Sequence, residues 1–522
     1  MSRSTLGRLK KIRIIAALIF FIPTSFLFLD PWHCIPTAVS DIVTSFQLIP
    51  SVVRIFVFTG LNIVALFIAI GLTVLFGRVY CSTICPLGTL QDVIIHLEKK
   101  IHRRKRFEYK KPPFAFHYSL LALTTIAVLA GSVLILNLFE PFSNYGRILT
   151  NFIEPVITML NNFIADVLNR HSIYSFYNIP LRNISLEIFI VPFFFLSIII
   201  YMSYKHGRLF CNSLCPAGAI LSLVSRFTFF KLAVNEQTCN ECGACEKVCK
   251  ANCIESKTKQ IDFSACVGCF NCIHACPTDG IIYSGAKHKS VGKPVFDKSR
   301  RTFFKAVAIP SVAFLTPVVT NPDSSSTNVE GYFKSKKHPV TPPGSKSIEH
   351  FTNLCTACHL CVSSCPTQVL YPTLFEYGLC GILLPKMNYD ASYCNYDCTI
   401  CGEVCPSGAI LPVDIEIKKL IQIGKAVFVR NDCVVVKNKK DCAACSEHCP
   451  TKAVHTIPYE GKLKIPELNN DICIGCGGCE HACPTTPRKA IYVTSNLVHL
   501  QAQKPKVKKQ DGGFDGTKEF PF

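Results

Sequence analysis

The spacing of its cysteines constrains this sequence more than any other feature. Two runs follow the pattern Cys-x2-Cys-x2-Cys-x3-Cys, one starting at Cys239 and one at Cys266. Three close cysteines let a short loop wrap a [4Fe–4S] cluster, while the fourth crosses to a second cluster. The crossing predicts two ligand sets: Cys239, Cys242, Cys245 and Cys276 for cluster one, and Cys266, Cys269, Cys272 and Cys249 for cluster two.

The C-terminal half repeats this logic with wider gaps in two of its four runs. The runs from Cys355 and Cys473 keep the standard spacing, whereas the first gap has three residues after Cys394 and eight after Cys433. We therefore expect about six [4Fe–4S] clusters in the chain. The four further ligand sets are Cys355, Cys358, Cys361 and Cys405 (cluster three); Cys394, Cys398, Cys401 and Cys365 (cluster four); Cys433, Cys442, Cys445 and Cys483 (cluster five); Cys473, Cys476, Cys479 and Cys449 (cluster six).

Zinc and haem fit these cysteines less well. Zinc sites rarely place four cysteines so close together twice over. Residues 355–359 also match the Cys-x2-Cys-His motif of haem attachment, but both cysteines stand in register with the rest of their cubane run. Three cysteines fit no pattern: Cys34, Cys253 and Cys380.

Long apolar runs predict a membrane domain. The chain is 49% apolar, and runs at 12–29, 55–76, 116–138 and 188–204 are long enough to span a bilayer. The loop 77–111 is rich in Lys and Arg, whereas 30–50 and 139–187 carry few. By the positive-inside rule, the N-terminus and the residues from 205 onward are expected in the cytoplasm.

The membrane part contains an internal repeat of two spans. The motif GRVYCSTICPLG after the second run matches GRLFCNSLCPAG after the fourth. The repeat predicts a pseudo-twofold axis that brings Cys81 and Cys85 close to Cys211 and Cys215. These four thiols are candidates for an extra cluster, for a dithiol couple or for contact with a quinone or flavin. The alternative is that they are structural.

The repeat also aligns two acidic turns, FLDPWHC and LFEPFSN, at the opposite membrane surface. Quinol oxidation needs a proton acceptor beside the ring, and carboxylate or imidazole groups suit that role. Asp30, His33 and Glu140 are therefore candidate quinol-site residues. The alternative is that they are ordinary interfacial residues beside proline turns.

A twin-arginine export motif stands in the middle of the chain. The sequence SRRTFFK at 299–305 precedes an apolar run, as in signals that export folded proteins. The four spans return the chain to the cytoplasm, where such a signal must be read. We expect an uncleaved fifth span at about 302–320, with the second half exported; the alternative leaves everything in the cytoplasm.

The net charge of +20 raises the question of nucleic acid. No basic stripe with interleaved aromatic residues accompanies it. Thiolate ligation of six cluster cores would also lower the charge to about +8. We therefore expect no nucleic-acid partner.

With these motifs identified, the chain resembles two partner proteins fused. Residues 1–285 resemble the NapH-like membrane component of periplasmic nitrate reductase systems, with paired Cys-x3-Cys-Pro motifs and a two-cluster ferredoxin. Residues 299–495 resemble the NapG-like partner, with a twin-arginine signal and four clusters. The resemblance implies a quinol dehydrogenase-type component of anaerobic respiration that transfers electrons from quinol towards a periplasmic reductase or small electron carrier.

The expected architecture follows from these elements. It is an α-helical polytopic membrane domain of four spans plus a fifth anchor, with three α+β ferredoxin-like modules. The expected boundaries are 1–230 for the membrane domain, 231–285 for the first module, 286–347 for the linker, 348–412 and 413–495 for the other modules, and 496–522 for the tail.

The functional hypothesis is an electron-transfer protein of a bacterial inner membrane. Quinol, an exchangeable substrate from the quinone pool, or a cytoplasmic donor would supply the electrons. Two alternatives remain: a cytoplasm-facing ferredoxin:quinone oxidoreductase, and a maturation or redox-sensing protein.

Overall fold

The computed structural model describes residues 3–30, 32, 34–54, 60–102, 113–182, 186–235, 237–285 and 338–504. Three features predicted from the sequence lie outside the described residues. They are His33, the twin-arginine motif with the predicted fifth span, and the end of the tail from residue 505.

The N-terminal half is helical up to residue 225. Its helices are α1 (Arg3–Phe28), α2 (Thr37–Ser45), α3 (Leu48–Arg54), α4 (Gly60–Phe76), α5 (Tyr80–Thr83), α6 (Pro86–His102), α7 (Phe114–Leu129), α8 (Leu134–Phe139), α9 (Pro141–Ile148), α10 (Glu154–Arg170), α11 (Leu186–His206), α12 (Leu209–Ser213) and α13 (Pro216–Ser225). One π-helical turn, Leu149–Ile153, joins α9 to α10.

Three stretches of described helix are long and apolar enough to cross a membrane: Arg8–Phe28, Pro141–Arg170 and Leu186–His206. Shorter apolar helices accompany them at Ile63–Phe76, Phe114–Leu129 and Pro216–Ser225. Large apolar side chains, among them Phe67, Phe193 and Phe194, are exposed on this domain. Apolar surface of this extent indicates association with a membrane.

The predicted spans agree with these helices in part. The runs 12–29 and 188–204 coincide with two of the candidate membrane helices. The run 55–76 is described only from residue 60, as α4. The run 116–138 is not one helix, because α7 ends at Leu129 and the chain turns through Gly131, whose φ is +82°. Glycine reaches such a backbone angle without steric cost.

The predicted outer loop 139–187 needs correction, since it contains the 30-residue helical stretch Pro141–Arg170. The first part of this stretch is polar, and its polar side chains are buried and bonded. Asn144 Nδ2 donates to Leu138 O at 2.7 Å, and Asn151 Nδ2 donates to Arg147 O at 2.7 Å. Polar groups that face the interior of a helical bundle lower the hydropathy of a span, so a search for apolar runs misses it.

Residues 230–285 form a small α+β body. Its outer sheet pairs two antiparallel strands, with Phe230 opposite Gly285 and Val234 opposite Ile281. An inner hairpin and two short helices complete it. The elements are β1 (Phe230–Val234), α14 (Ala244–Lys247), β2 (Ile254–Glu255), β3 (Gln260–Ile261), α15 (Asn271–Ala275) and β4 (Ile281–Gly285).

Residues 338–504 form a larger body of the same kind of elements. Its antiparallel pairs are β5 with β6, β8 with β9, and β7 with β10. The elements are α16 (Ile348–Leu354), α17 (Leu360–Ser363), β5 (Leu370–Pro372), β6 (Pro385–Met387), α18 (Ile400–Glu403), α19 (Ile415–Lys418), β7 (Ile421–Phe428), α20 (Val434–Asn438), α21 (Ala444–Glu447), β8 (Val454–Pro458), β9 (Lys464–Leu468), α22 (Gly478–Ala482) and β10 (Ile491–Gln501).

Residues 339–345 belong to this larger body, although their sequence predicts a linker. They are buried. Met387 N donates to Val340 O at 2.9 Å, and Leu411 N donates to Gly344 O at 3.0 Å. The linker therefore ends before the Pro342–Gly344 turn rather than at residue 347.

The smaller and larger bodies contact the helical domain at separate parts of α1. In its N-terminal half, Arg13 pairs with Asp92, which also pairs with Lys250 of the smaller body. At its end, the ring of Phe28 and the carbonyl of Cys358 both pack against Gly146. Arg13 and Phe28 lie about 22 Å apart along the helix axis.

The internal repeat is visible in how α6 and α13 begin. A Cβ on Gly88 would collide with the carbonyl oxygen of Cys81, and a Cβ on Gly218 with that of Cys211. The same close crossing thus occurs once in each half. It requires glycine because the obstacle is backbone, which cannot rotate away.

This crossing predicts the effect of one added methyl group. Gly88→Ala should lower the free energy of unfolding by about 2 kcal/mol or more and reduce the Tm in detergent. Gly71→Ala in α4 is the matched control, because nothing lies within 4 Å of a Cβ there. Equal Tm values for the two variants would contradict the close approach of Gly88 to the carbonyl oxygen of Cys81.

Candidate iron–sulfur centres

The predicted ligands of clusters one and two line two separate cavities in the smaller body. One cavity is lined by Cys239, Cys242, Cys245 and Cys276. The other is lined by Cys249, Cys266, Cys269 and Cys272. Each cavity thus contains three cysteines from one run and the fourth cysteine of the other, as the crossing predicts.

The cysteines of the larger body group in the same crossed way. Burial raises the pKa of the Cys361 thiol, and the thiolates of Cys355, Cys358 and Cys405 raise it further. The same holds for Cys401 beside Cys394, Cys365 and Cys398, for Cys445 beside Cys442, Cys483 and Cys433, and for Cys479 beside Cys476, Cys473 and Cys449. The structure brings each predicted set together, including Cys433 after its long gap.

Each set of four cysteines matches the four thiolate ligands that a [4Fe–4S] cluster takes. Among the described residues, no group of three or more His, Cys, Asp or Glu side chains is placed to hold one metal ion. When bound, such clusters supply one-electron transfer at potentials that the protein tunes.

The loops of standard spacing share a backbone feature that the sequence pattern does not reveal. The residue after the second cysteine adopts a left-handed conformation in all four: Gly243, Phe270, His359 and Gly477. In the two widened loops the equivalent residues, Thr399 and Ala443, have a φ of −124°. The widened loops thus lack this left-handed residue, a conformation that non-glycine residues such as Phe270 and His359 rarely adopt.

The four Cys-x3-Cys-Pro thiols are buried together as the repeat predicts. Burial raises the pKa of Cys215, and the thiolates of Cys211, Cys85 and Cys81 raise it further. Burial also raises the pKa of Cys85, with Cys81 and Cys211 adding to the effect. All four are free thiols. Gly218 N donates to Cys215 Sγ at 3.3 Å, and Gln91 Nε2 donates to Cys211 Sγ at 3.6 Å.

Two buried arginines, one from each half of the repeat, bond to the opposite half. Arg78 NH2 donates to the carbonyl oxygen of Cys211 at 2.9 Å, and Arg208 NH1 donates to that of Cys81. Arg78 also donates to Asn212 Oδ1. The two halves are thus joined directly at the cysteine motifs.

Asp92 on α6 is the centre of an ion network beside this site. Its carboxylate lies 2.9 Å from each of Arg13, Arg208 and Lys250. Burial alone would raise the pKa of Asp92, but Arg208, Lys250 and Arg13 together lower it well below its usual value of 3.8. The network ties α1, the repeat and the smaller body to one carboxylate.

Removing that charge should destabilise the protein. Asp92→Asn keeps the shape but leaves three cations without their anion, so we expect a loss of about 3 kcal/mol or more, measured by denaturant unfolding in detergent. The folded pKa lies below the unfolded one. The contribution of Asp92 is therefore complete above the unfolded value and is lost only as the pH falls through the folded value.

The Asp92→Asn deficit should thus be constant between about pH 5 and 8 and shrink only in acid. Glu416→Gln is the control, because its pair with Lys419 is exposed and such pairs contribute little. A deficit no larger than that of the control would contradict the role of Asp92.

The two candidate quinol carboxylates, Asp30 and Glu140, lie beside turns and bond to backbone. Asp30 Oδ2 accepts from Ile35 N at 2.9 Å. Glu140 is buried and caps α9, where it accepts from Phe142 N at 2.9 Å and from Ser143 N. The two carboxylates thus bond to separate segments of backbone. Glu140 fills a structural capping role, and Asp30 bonds to the backbone of its turn, whether or not either also binds quinol.

Glu140 nevertheless lies where the larger body meets the helical domain. Asn137 Nδ2, close to Glu140 on α8, donates to the carbonyl of Cys355 at 3.0 Å. Arg147 is buried and donates to the carbonyl of Asn137. The loop that carries two ligands of cluster three thus sits directly on this end of the domain.

Cys253, which fits no pattern, lines the cavity of cluster two. Its Sγ lies 3.5 Å from that of Cys249. The sequence offered one signal, since Cys253 follows Cys249 by the same spacing as Cys-x3-Cys. The standard crossing still predicts Cys249 as the ligand.

Two variants distinguish a cysteine that binds the cluster from one that only lies beside it in this cavity. Cys272→Ala should lose cluster two, a fall of about four iron atoms per chain, whereas Cys253→Ala should keep it. Iron analysis and electron paramagnetic resonance of anaerobically purified protein measure both. Equal losses in the two variants would make Cys253 a ligand.

These features define an iron–sulfur protein of the ferredoxin electron-transfer type with a helical, membrane-associated domain. Two families match the chain. One is described as a 4Fe-4S binding domain and matches residues 58–105 and 188–235, one in each half of the repeat. The other is a 4Fe-4S dicluster domain and matches residues 344–409 and 440–486.

Three of the relatives are proteins of Escherichia coli strain K12. YccM is 25% identical over 43% of this chain and 56% of its own length. The ferredoxin-type protein NapF is 26% identical over 31% of this chain and 91% of its own. The ferredoxin-type protein NapG is 29% identical over 28% of this chain and 65% of its own. No solved structure matches the chain.

Proposed function

We propose that this chain relays electrons from membrane quinol, or from a cytoplasmic donor, through its ferredoxin-type centres to a periplasmic acceptor. The observation that carries the proposal is the position of the two cysteine-rich bodies at opposite ends of one apolar helical domain. A protein that exchanged electrons on one side of the membrane only would not need a cysteine-rich body at each end of the helical domain. The finer proposal, suggested by the resemblance, is a fused NapH-like and NapG-like pair that serves a periplasmic reductase.

The smaller body is held against the cysteine motifs by backbone contacts next to its ligands. Asn212 Nδ2 donates to Ala265 O at 3.2 Å, and Arg78 NH1 donates to Ser264 O at 3.1 Å. Cys266, a predicted ligand of cluster two, is the next residue along the chain. Arg208 N also donates to Lys250 O at 2.7 Å. These contacts support a fixed distance between cluster two and the helical domain.

The larger body is held at the other end in the same manner. Besides the bond from Asn137, Arg182 NH2 donates to Val362 O at 2.8 Å, and Gln368 Nε2 donates to Pro180 O at 2.9 Å. Val362 follows Cys361, a predicted ligand of cluster three. Rigid contacts of this kind favour electron transfer, because its rate falls steeply with distance.

Quinol oxidation releases two protons with its two electrons. Asp30 and Glu140 are the proposed proton acceptors, and Glu140 has the stronger support because it lies beside the Cys355 loop. Quinol would thus be oxidised at the end that carries the larger body, on the side where the electrons leave. His33 is the third proposed proton acceptor, and its assignment depends on the sequence alone.

The test measures on which side of the membrane electrons emerge. Right-side-out vesicles receive a membrane-permeant quinol and ferricyanide, an oxidant that does not cross the bilayer. Wild-type vesicles should reduce ferricyanide, and Arg300→Lys/Arg301→Lys vesicles with equal protein content should lose most of this rate. Lys287→Arg/Lys289→Arg is the matched control and should keep it.

Two results would overturn the proposal. Ferricyanide reduction confined to inside-out vesicles would indicate a cytoplasm-facing ferredoxin:quinone oxidoreductase. Absence of quinol-dependent reduction in either orientation, with clusters intact, would favour a maturation or sensing role.

A further inference from the structure

The widened loop of cluster five carries an exposed basic segment. Between the predicted ligands Cys433 and Cys442 the chain reads VVVKNKKD, with three lysines in four residues. Residues 437–440 are all exposed. The first gaps of the other five cysteine runs contain no Lys or Arg. The insertion thus brings positive charge to one cluster only, although a loop that merely spanned the gap would need no charge.

The local fold holds these lysines on the outside of the loop. Helix α20 begins directly after Cys433, and Lys437 N donates to Cys433 O at 2.8 Å. Val435 is fully buried on the inner face of this helix, whereas Lys437 is exposed. The helix ends at Lys439, whose φ of +51° turns the chain back towards Cys442. The charged turn is therefore bounded by two ligands of one cluster.

An aromatic ring adjoins two cations of this region. The guanidinium carbon of Arg430 lies 5.1 Å from the centre of the Tyr459 ring, and Lys439 Nζ lies 5.5 Å from it. None of the ion pairs within residues 338–504 includes Arg430, Lys437 or Lys440. Tyr and Arg are enriched where proteins dock, so this combination favours a contact surface.

The positive charge of the larger body is concentrated at this end. Residues 430–468 and 484–489 carry or directly follow the four ligands of cluster five, and they contain nine Lys or Arg and five Asp or Glu. The rest of 338–504 contains six Lys or Arg and nine Asp or Glu. Glu460 pairs with Lys439, which leaves Lys437 and Lys440 available to an acidic surface.

A ligand of cluster five also reaches the surface at this end. Cys442 is partly exposed, whereas the four predicted ligands of cluster two are buried. No hydrogen bond or ion pair among the described residues joins 430–442 to the helical domain. A carrier protein that docks there would lie close to cluster five, and a short path favours electron transfer because its rate falls steeply with distance.

We propose that Arg430, Lys437, Lys439, Lys440 and Tyr459, here called the terminal basic face, form the docking surface for a soluble one-electron carrier protein with an acidic face. Opposite charges steer two proteins together and fix their orientation. In each encounter the carrier is reduced by one electron and the chain is oxidised by one, with no bond formed and no proton moved. The inference rests on the proposed electron-transfer function for the direction of flow, but not for the surface itself.

The test compares two charge forms of one carrier. Native cytochrome c is basic, and succinylation turns its lysines into carboxylates without replacing the haem. The full chain in neutral detergent is first reduced with a limiting amount of dithionite and then mixed with either form, and haem absorbance gives the rate. At low salt the wild-type chain should reduce the succinylated form about tenfold faster than the native form. The difference should disappear above about 0.5 M salt.

Charge variants locate the surface. Lys437→Glu/Lys440→Glu should abolish or reverse the preference, with iron content and elution volume unchanged because both side chains are exposed. Lys247→Glu/Lys257→Glu is the matched control, since it makes the same change in charge at exposed lysines of the smaller body, and it should keep the preference. Lys437→Gln/Lys440→Gln should leave about a threefold preference, and it replaces the first variant if that one loses iron.

The outcomes separate this inference from the proposed function. No preference in the wild type, an unchanged preference in the Lys437 and Lys440 variants, or an equal loss in the control would overturn the docking surface. Dithionite replaces quinol as the electron source in this test. A retained preference alongside failed quinol-driven ferricyanide reduction would therefore refute the proposed function and leave the terminal basic face standing.

Discussion

The architecture depends on the reciprocal bonds between Arg78 and the carbonyl of Cys211 and between Arg208 and the carbonyl of Cys81. Each guanidinium is fully buried, so it must find its acceptors inside the protein. By taking them from the opposite half, the two arginines join the repeat into one domain. Asp92 extends this junction, since the carboxylate that pairs with Arg208 also binds α1 and the smaller body.

Much of the candidate site could be predicted because it is local. A cubane has fixed dimensions, so the spacing Cys-x2-Cys-x2-Cys determines which thiols share a loop, and the crossing of the fourth cysteine follows from closing the pseudo-symmetric module. Cys276 accordingly lines a cavity with Cys239, although the two are 37 positions apart in the sequence. The Cys-x3-Cys-Pro motifs were also informative, because two copies of one motif predict two equivalent positions about an axis.

The remaining features depend on partners distant in sequence. The stretch Pro141–Arg170 was missed because Asn144 and Asn151 read as loop residues until their buried acceptors are known. Phe270 and His359 gave no sign of a left-handed backbone, since neither is glycine. Residues 339–345 fall in the predicted linker because that segment is polar and rich in Pro and Ser, whereas their burial depends on strand β6 and Leu411. Hydropathy and turn propensity are properties of the local sequence, whereas these features depend on contacts between residues that are distant in the sequence.

Packing also decides the order of the centres, which differs from their order along the chain. Cys361 has Cys401 as an electrostatic neighbour, which places the Cys355 and Cys394 sets side by side. Cys394 N then donates to Cys476 O at 2.9 Å, so the Cys394 set adjoins the Cys473 set rather than the Cys433 set.

Cys479 in turn has Cys445 as a neighbour. The spatial order in the larger body is therefore cluster three, four, six and five. Cluster three contacts the helical domain through Cys355, and the Cys433 set stands at the far end of the series. The widened Cys433–Cys442 gap thus belongs to the terminal centre, where an elongated loop can vary without disturbing contacts between neighbouring centres.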